Sequence, residues 1–374
     1  MTASAVPVVL FLFNRPATLG WVVDVLLKAR PRLVVAIADG PRAGHPDDAA
    51  ACAAARAVVE RLDGTCEVIR SFPDTNSGCD ARIRSGLDWV FERFDAAIVL
   101  EDDVVPDPSF FPWCERMLDR YRDDHRVMHV AGRNHLGRWT LQGDGHCLHR
   151  RASAWGWATW RRAWRRDVAV PGDVAALSRA VAADAVDPLV AENFLMLHEV
   201  AVTSGSVAWD CEWELKKAVA GGLSVVPSVN MVANIGFGPE ATHTRFRHDI
   251  GGLVPVRSSP PGAAMDRCQN DPRLERGQLL FELMATYREP EMVWRLARSP
   301  RIPASAGWAG DRRLRQHLAP FRAPAEALAA LGHLVAAGAP AKPLEALTAL
   351  LRRAAVAGSG AADSGSTQPS AAAM

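Results

Sequence analysis

The chain of 374 residues has no long apolar run. Its most hydrophobic stretches, Val8–Phe13 and Leu33–Ala38, are as short as strands, whereas a membrane-spanning helix needs about 20 apolar residues. No basic residue precedes the first stretch, and Asn14-Arg15-Pro16 ends it, so it does not resemble a secretory signal. We therefore expect a soluble cytoplasmic protein without a transmembrane segment.

An excess of charge of either sign is also absent. Lys and Arg number 43 and Asp and Glu 42, which gives a formal net charge of +1. Without a strongly charged surface, no global field recruits nucleic acid or an anionic membrane. Hydrophobic residues make up 49% of the chain, which is enough to build a core. We expect a folded protein that binds a small ligand and no nucleic acid.

The sequence also lacks the short motifs of several enzyme classes. Its seven cysteines are widely spaced and contain no Cys-x-x-Cys pair, which argues against a zinc site or a disulfide framework. No Gly-x-Gly-x-x-Gly follows the first predicted strand, and no Walker loop, Gly-x-Ser-x-Gly or His-Glu-x-x-His is present. These absences count against dinucleotide-dependent enzymes, P-loop enzymes, serine hydrolases and zinc hydrolases.

Short apolar runs alternate with segments of helical period up to about residue 130. Strands are predicted at Val8–Phe13, Leu33–Ala38, Glu67–Phe72, Ala96–Leu100 and Val127–Val130. Helices are predicted at Pro16–Lys28, Asp47–Leu62, Ala81–Phe94 and from Asp107 to Tyr121. This alternation predicts an α/β fold with a mainly parallel, doubly wound sheet of Rossmann-like kind.

The pattern beyond this region is less regular. Tryptophans at 157, 160 and 164 are spaced as on one helical face, which predicts a helix packed into the core. Further helices are predicted between Val174 and Val202, and a strand at Leu223–Val229. We expect a sheet domain over 1–252, a helical extension over 253–356 and a disordered tail over 357–374. The tail is almost all Ala, Gly and Ser, which bury little surface.

An acidic triplet, Glu101-Asp102-Asp103, directly follows the predicted strand Ala96–Leu100. Carboxylates are the ligands that Mg²⁺ and Mn²⁺ prefer, and these ions bind diphosphates with only one or two protein ligands. A solvated acidic turn before the next helix is the ordinary alternative. The position at the end of a central strand favours the metal, because ligands collect at the carboxyl ends of parallel strands.

A second acidic motif, Trp209-Asp210-Cys211-Glu212-Trp213, places two acids between two tryptophans. An acid beside aromatic walls can have a raised pKa and act as a general base toward a hydroxyl. The alternative is the exposed face at the start of a helix that is packed by its tryptophans. The pentapeptide alone leaves both open.

Single polar residues near the strand ends have two interpretations each. Arg15, Arg82 and Arg84 can bind a phosphate or simply carry surface charge. Asp39, which precedes Gly40, can accept a hydrogen bond from a base or ribose, or it can shape a turn.

Taken together, these stretches resemble the nucleotide-diphosphosugar glycosyltransferases of the GT-A fold. The likeness is strongest to bacterial sugar transferases related to the animal N-acetylglucosaminyltransferase that begins complex N-glycans, and it covers about residues 6 to 247. It is carried, in order, by Phe13-Asn14-Arg15-Pro16, Ala38-Asp39-Gly40, Asn76-Ser77-Gly78-Cys79, Ile98 to Asp103, Pro106 to Phe111, Trp155-Gly156-Trp157, Trp209-Asp210 and Pro227 to His243.

The resemblance implies roles for individual residues. Asp103 would be the direct ligand of Mn²⁺ or Mg²⁺ in a DXD-like motif, and Asp210 would be the catalytic base. Glu212 is the other candidate for the base. The relatives carry two adjacent acids between their tryptophans, whereas in this chain Cys211 separates Asp210 from Glu212. The donor-binding residues implied are Asn14, Arg15, Asp39, Arg82, Glu101, Asp102 and His243.

We therefore expect a metal-dependent hexosyl- or N-acetylhexosaminyltransferase that moves a sugar from a UDP-linked donor to a hydroxyl of a saccharide or other acceptor, with inversion. One alternative is a sugar-phosphate nucleotidyltransferase, which would normally carry a glycine-rich loop where this chain has Asn14-Arg15-Pro16. Another is a non-catalytic carbohydrate-binding protein, against which the acids at 103 and 210 argue. Donor hydrolysis with and without metal distinguishes these classes.

Overall fold

The structure is a computed structural model that describes residues 6–135, 137, 145–182, 188–204, 208–236, 254, 256–258, 275, 278 and 279. His243, the predicted tail and nearly all of the predicted helical extension lie outside these residues, so the domain boundaries stay predictions. No helix within the described ranges is both long and apolar enough to cross a membrane.

The described part of the chain contains ten strands and eight α-helices. The strands are β1 (Val8–Leu12), β2 (Leu33–Ala38), β3 (Glu67–Ser71), β4 (Ala96–Glu101), β5 (Val104–Pro106), β6 (Val127–Ala131), β7 (His146–His149), β8 (Trp157–Trp160), β9 (Leu223–Pro227) and β10 (Val232–Asn234). The helices are α1 (Pro16–Ala29), α2 (Asp48–Val59), α3 (Cys79–Arg93), α4 (Phe110–Arg120), α5 (Arg161–Trp164), α6 (Val174–Ala182), α7 (Pro188–Ser204) and α8 (Trp209–Val219).

Eight strands form one sheet, in the order β3-β2-β1-β4-β8-β6-β9-β7. Strands β3, β2, β1 and β4 pair in parallel, and β9 pairs in parallel with β6. Strand β8 runs antiparallel between β4 and β6, and β7 runs antiparallel at the edge. Strands β5 and β10 form a separate antiparallel ribbon. The predicted α/β class with a mainly parallel sheet is confirmed.

The first strands are short apolar runs because every residue in them is buried. All of β1 and β2 is buried, as expected for parallel strands covered by helices. Helix α1 begins with Pro16, whose fixed φ suits a first turn, and it buries a stripe at helical spacing. It packs on α2, whereas α3 packs on α5 and α8.

The tryptophan run does not form the single helix that its spacing predicts. Trp157 and Trp160 begin and end strand β8, and only Trp164 lies in a helix, the short α5. Tryptophan also favours strands, and the three-and-four spacing here spans a strand–helix junction. The expected role in the core is confirmed, because Trp157 is 1% exposed.

Trp157 connects helix α8 to the sheet. Its indole stacks on the His129 ring with centroids 5.0 Å apart, and it contacts the rings of Trp209 at 5.8 Å and Trp213 at 5.9 Å. Trp213 Nε1 donates to Nδ1 of His129 at 3.2 Å. The start of α8 is therefore held by an aromatic cluster on the central strands.

We expect Trp157→Ala to lower the free energy of unfolding by about 3–5 kcal/mol, the usual cost of truncating a buried aromatic side chain to alanine. Trp21→Ala is the matched control, because Trp21 is 64% exposed on α1. It should change stability by no more than about 0.5 kcal/mol. Equilibrium urea denaturation measures both, and equal losses in the two variants would contradict the central position of Trp157.

Candidate active site

The carboxyl ends of β1, β2 and β4 bring the polar residues to one edge of the sheet. Leu12 at the end of β1 pairs with Ala38 at the end of β2. On the other side of β1, Phe11 pairs with Glu101, the last residue of β4. The residues that follow these strands are therefore neighbours, as in other parallel sheets where ligands bind.

Arg15 forms ion pairs with two acids of the triplet. Its Nη1 lies 2.7 Å from Oδ2 of Asp103, and its Nη2 donates to Oδ1 of Asp102. The other oxygen of Asp102 accepts the N–H of Phe13 at 3.1 Å. Burial lowers the pKa of Arg15, but the charges of Asp102 and Asp103 outweigh this and raise the pKa above its ordinary value. Burial raises the pKa of Asp102 to about 6, although Arg15 opposes the rise.

Glu101 lies among like charges. Its burial, followed by the negative charges of Asp103, Asp102 and Asp210, raises the pKa of its carboxyl to about 8. Asp210, in the first turn of α8, is thus among the charges that act on the acid at the end of β4. The acids of the triplet outnumber the one guanidinium that pairs with them, and the repulsion between the carboxylates favours the binding of a cation.

The two acids of the tryptophan motif have different surroundings. Glu212 is held by Arg84, whose Nε lies 2.7 Å from Oε2, and by Lys216, whose Nζ lies 2.8 Å from Oε1. Burial raises the pKa of Glu212, but these cations outweigh it, and the pKa lies below its usual value. Oδ1 of Asp210 accepts the N–H of Cys211 at 2.9 Å, and no described side chain pairs with this carboxylate.

Asp39 is occupied by the loop that precedes α3. Its carboxylate accepts the N–H groups of Gly40, Ser77 and Gly78, at 2.9 Å each, and Nδ2 of Asn76 at 3.0 Å. Asp39 is also buried, so its side chain joins two loops and has little capacity left for a nucleotide.

Arg82 makes similar contacts from α3. Its Nε donates to the carbonyl of Ala38 at 2.7 Å, and its Nη2 donates to the carbonyl and hydroxyl of Ser71 at 2.8 and 2.7 Å. Burial lowers the pKa of this arginine. These contacts fix α3 on the ends of β2 and β3.

Asn14 takes part in a contact that the sequence did not reveal. Its Nδ2 donates to Oδ1 of Asp48 at 2.9 Å, and Asp48 also accepts from Nε of Arg42 at 2.6 Å and Nη2 at 2.9 Å. The guanidinium of Arg42 lies over the ring of Phe13, 5.5 Å from its centroid. No pattern in the sequence marks Asp48, because its partners lie in other segments.

The ribbon of β5 and β10 brings Gly236 against the acidic triplet. The N–H of Ile235 donates to the carbonyl of Asp103 at 2.8 Å. A Cβ at Gly236 would lie 1.9 Å from Oδ2 of Asp103 and 2.9 Å from Nη1 of Arg15. Only glycine allows this approach, and the segment that continues toward His243 begins here.

The carboxylates fit a divalent metal only with help from a ligand. Within the described ranges, no three His, Cys, Asp or Glu side chains form a group that could hold a metal. Mg²⁺ and Mn²⁺ need only one or two carboxylates when substrate phosphates supply further oxygens. Oδ2 of Asp103 pairs with Arg15, whereas no described residue donates to its Oδ1. Asp103 therefore suits a metal that is shared with a diphosphate.

Two contacts between α3 and the start of α8 have no signal in the sequence. Asp80 Oδ1 accepts the N–H of Trp209 at 2.7 Å, and Arg84 pairs with Glu212. An acid in the first turn of α3 was visible in the sequence, but its partner on α8 was not.

No protein-family model matches the chain, and no curated protein matches it. Among solved structures, the chain is similar to "Mannosyltransferase PcManGT from Pyrobaculum calidifontis in complex with GDP-Man and Mn2+". The identity is 14%, the match covers 97% of this chain and 89% of that chain, and the TM-score is 0.37. A likeness at this TM-score assigns neither a fold nor an activity.

The raised pKa of Glu101 predicts a pH dependence of stability in the presence of a chelator. Between its ordinary pKa of 4.5 and about 8, the folded protein holds a proton that the unfolded chain releases. The free energy of unfolding should therefore fall as pH rises through this window. The side chain of Glu101→Gln is neutral in the folded and the unfolded protein, so the variant lacks this loss. The melting temperature of Glu101→Gln minus that of the wild type should therefore increase as pH rises. Parallel curves for the two proteins would contradict the raised pKa.

Proposed function

We propose that the chain is a glycosyltransferase that moves a sugar from a nucleoside diphosphate donor to an acceptor hydroxyl. The observation that carries the proposal is the acidic triplet at the end of β4, in which Asp102 and Asp103 pair with Arg15. The charge of Asp210 also helps to raise the pKa of Glu101. This arrangement offers a cation site, an arginine and a carboxylate base at one edge of the sheet, as transfer from a diphosphate donor requires.

Asp103 is the proposed ligand of Mn²⁺ or Mg²⁺. Its Oδ1 receives no hydrogen bond from the described residues, and the carboxylate of Asp102 adds negative charge beside it. A bound metal would supply neutralisation of the charge that develops on the leaving diphosphate. Among the described residues, no group of protein side chains could hold a metal alone, and in this proposal phosphate oxygens complete the coordination.

Arg15 is the proposed diphosphate contact within the protein. A guanidinium presents several donors in a fixed fork and matches phosphate oxygens well. Its two present partners hold it at the strand ends, with its side chain 26% exposed. Asp102 and Glu101 would face the ribose and donor sugar, while Asn14, Asp39 and Arg82 support the loops around the nucleotide.

Asp210 is the proposed base, in preference to Glu212. Both oxygens of Glu212 are committed to cations, and its pKa lies below the usual value, so it is a weak proton acceptor. Asp210 has one oxygen on a backbone N–H and the other without a described partner. In an inverting transfer, this carboxylate would take the proton of the acceptor hydroxyl as that oxygen attacks the sugar carbon.

A UDP-linked hexose or N-acetylhexosamine is the proposed donor, and a saccharide is the proposed acceptor. Because the acceptor is not identified, slow hydrolysis of the donor by water is the reaction to measure. A panel of UDP- and GDP-sugars with Mn²⁺, with Mg²⁺ and with chelator tests the reaction class. Cleavage that requires metal supports a transferase, and binding without any cleavage indicates the non-catalytic alternative.

Asp210→Asn should lower kcat for donor hydrolysis by about 10²- to 10⁴-fold, the usual contribution of a general base. Glu212→Gln is the matched control and should lower kcat by less than about tenfold, because the amide oxygen still accepts from Arg84. Calorimetry with the nucleoside diphosphate should show unchanged affinity in both. If Glu212→Gln lowers kcat more than Asp210→Asn does, the base is Glu212. If both variants keep the kcat of the wild type, neither acid of this segment is the base.

A further inference from the structure

We propose that Asp80 and Arg84 of α3 are positioning residues that orient Asp210 for catalysis. The inference rests on the proposed function, because it concerns how the proposed base is held. It names two residues on a different helix from Asp210, and each contacts α8 directly.

Asp80 caps the start of α8 from outside that helix. The first N–H groups of a helix lack intrahelical partners, and Ala208 at the N-cap has no side-chain acceptor. Oδ1 of Asp80 accepts the N–H of Trp209, the first residue of α8, at 2.7 Å. A carboxylate at this end of a helix is also favoured by the helix dipole. Asp80 thus fixes where α8 begins.

Arg84 makes the second contact, one helical turn along α3. Its Nε lies 2.7 Å from Oε2 of Glu212, which is one turn along α8. Two contacts at successive turns define the rotation of α8 about its axis as well as its distance from α3. A single contact would leave that rotation open.

Asp210 lies between the two contacted residues in α8. Trp209 and Trp213 are four residues apart, so they share a face of α8, and this face packs on Trp157. Successive residues of a helix are turned by about 100°, so a small rotation of α8 swings the carboxylate of Asp210 away from Glu101 and the donor site. A displacement of about 1 Å of a catalytic group can cost about 10²-fold in rate.

Donor hydrolysis by four variants tests the proposal. Asp80→Ala removes the acceptor of the Trp209 N–H, whereas Asp80→Asn retains an oxygen that accepts it. Arg84→Ala removes the second contact and carries the test if Asp80→Ala does not fold. Lys216→Gln is the control, because it removes only the partner of Glu212 within α8.

Asp80→Ala and Arg84→Ala should each lower kcat by about tenfold to 10²-fold, with KM for the donor unchanged. Asp80→Asn and Lys216→Gln should stay within about threefold of the wild type, since the contacts between the helices remain. Amide hydrogen exchange at Trp209 should accelerate in Asp80→Ala and stay slow in Asp80→Asn. This pattern separates positioning from a general loss of stability. A general loss of stability would not lower kcat at constant KM in Asp80→Ala and leave kcat near the wild-type value in Asp80→Asn.

Unchanged kcat in both alanine variants, or a loss in Asp80→Asn equal to that in Asp80→Ala, overturns the positioning role. A rise in KM at constant kcat also overturns it, because the contacts would then act on donor binding. A wild type that hydrolyses none of the UDP- or GDP-sugars overturns the proposed function and this inference together. An active wild type with active alanine variants overturns the inference alone.

Discussion

The ion pairs of Arg15 with Asp102 and Asp103 are the interaction on which the candidate site depends. Burying adjacent carboxylates is costly unless a cation compensates for their charge. Arg15 supplies that cation from the loop after β1, and parallel pairing of β1 with β4 sets the two segments side by side. The compensation is partial, because one guanidinium faces the two carboxylates of Asp102 and Asp103. Under the proposed function, this residual negative charge favours the binding of a divalent metal.

The other polar contacts at this edge hold the elements that surround the acidic triplet. Asp39 joins the end of β2 to the loop before α3, and Arg82 joins α3 itself to the ends of β2 and β3. Helix α3 in turn meets α8 through Asp80, while Trp157 packs α8 on the sheet. The start of α8, where Asp210 lies, is therefore held by contacts from α3 and from the sheet. Under the proposed function, substitutions at these contacts alter catalysis without removing an acid.

The repeating pattern of the first half made its strands and helices predictable. Buried strands such as β1, β2 and β4 and the helix α1 are continuous or periodic in the sequence, and their observed limits lie within a residue or two of the predicted ones. The short strands β5, β7 and β10 have no such pattern, since their pairing with distant segments determines them. The helical prediction for Trp157 failed for the same reason, because β8 is a strand only through its pairing with β4 and β6. Within the site, strand-end position brought Arg15 and the acids together, but the tertiary partners that occupy Asp39, Arg82 and Glu212 could not be read from the sequence.

The central claim is that Asp103 binds a divalent metal together with the diphosphate of a donor. Calorimetric titration of UDP and GDP into the protein, with Mn²⁺ and with chelator, measures this coupling directly. The account predicts that Mn²⁺ strengthens binding of a nucleoside diphosphate in the wild type and in Asp119→Asn, a change at an exposed position on α4. It also predicts that Asp103→Asn loses the dependence on Mn²⁺ while the protein remains folded. A nucleotide affinity that is the same with and without Mn²⁺, or a Mn²⁺ effect that survives in Asp103→Asn, would contradict it.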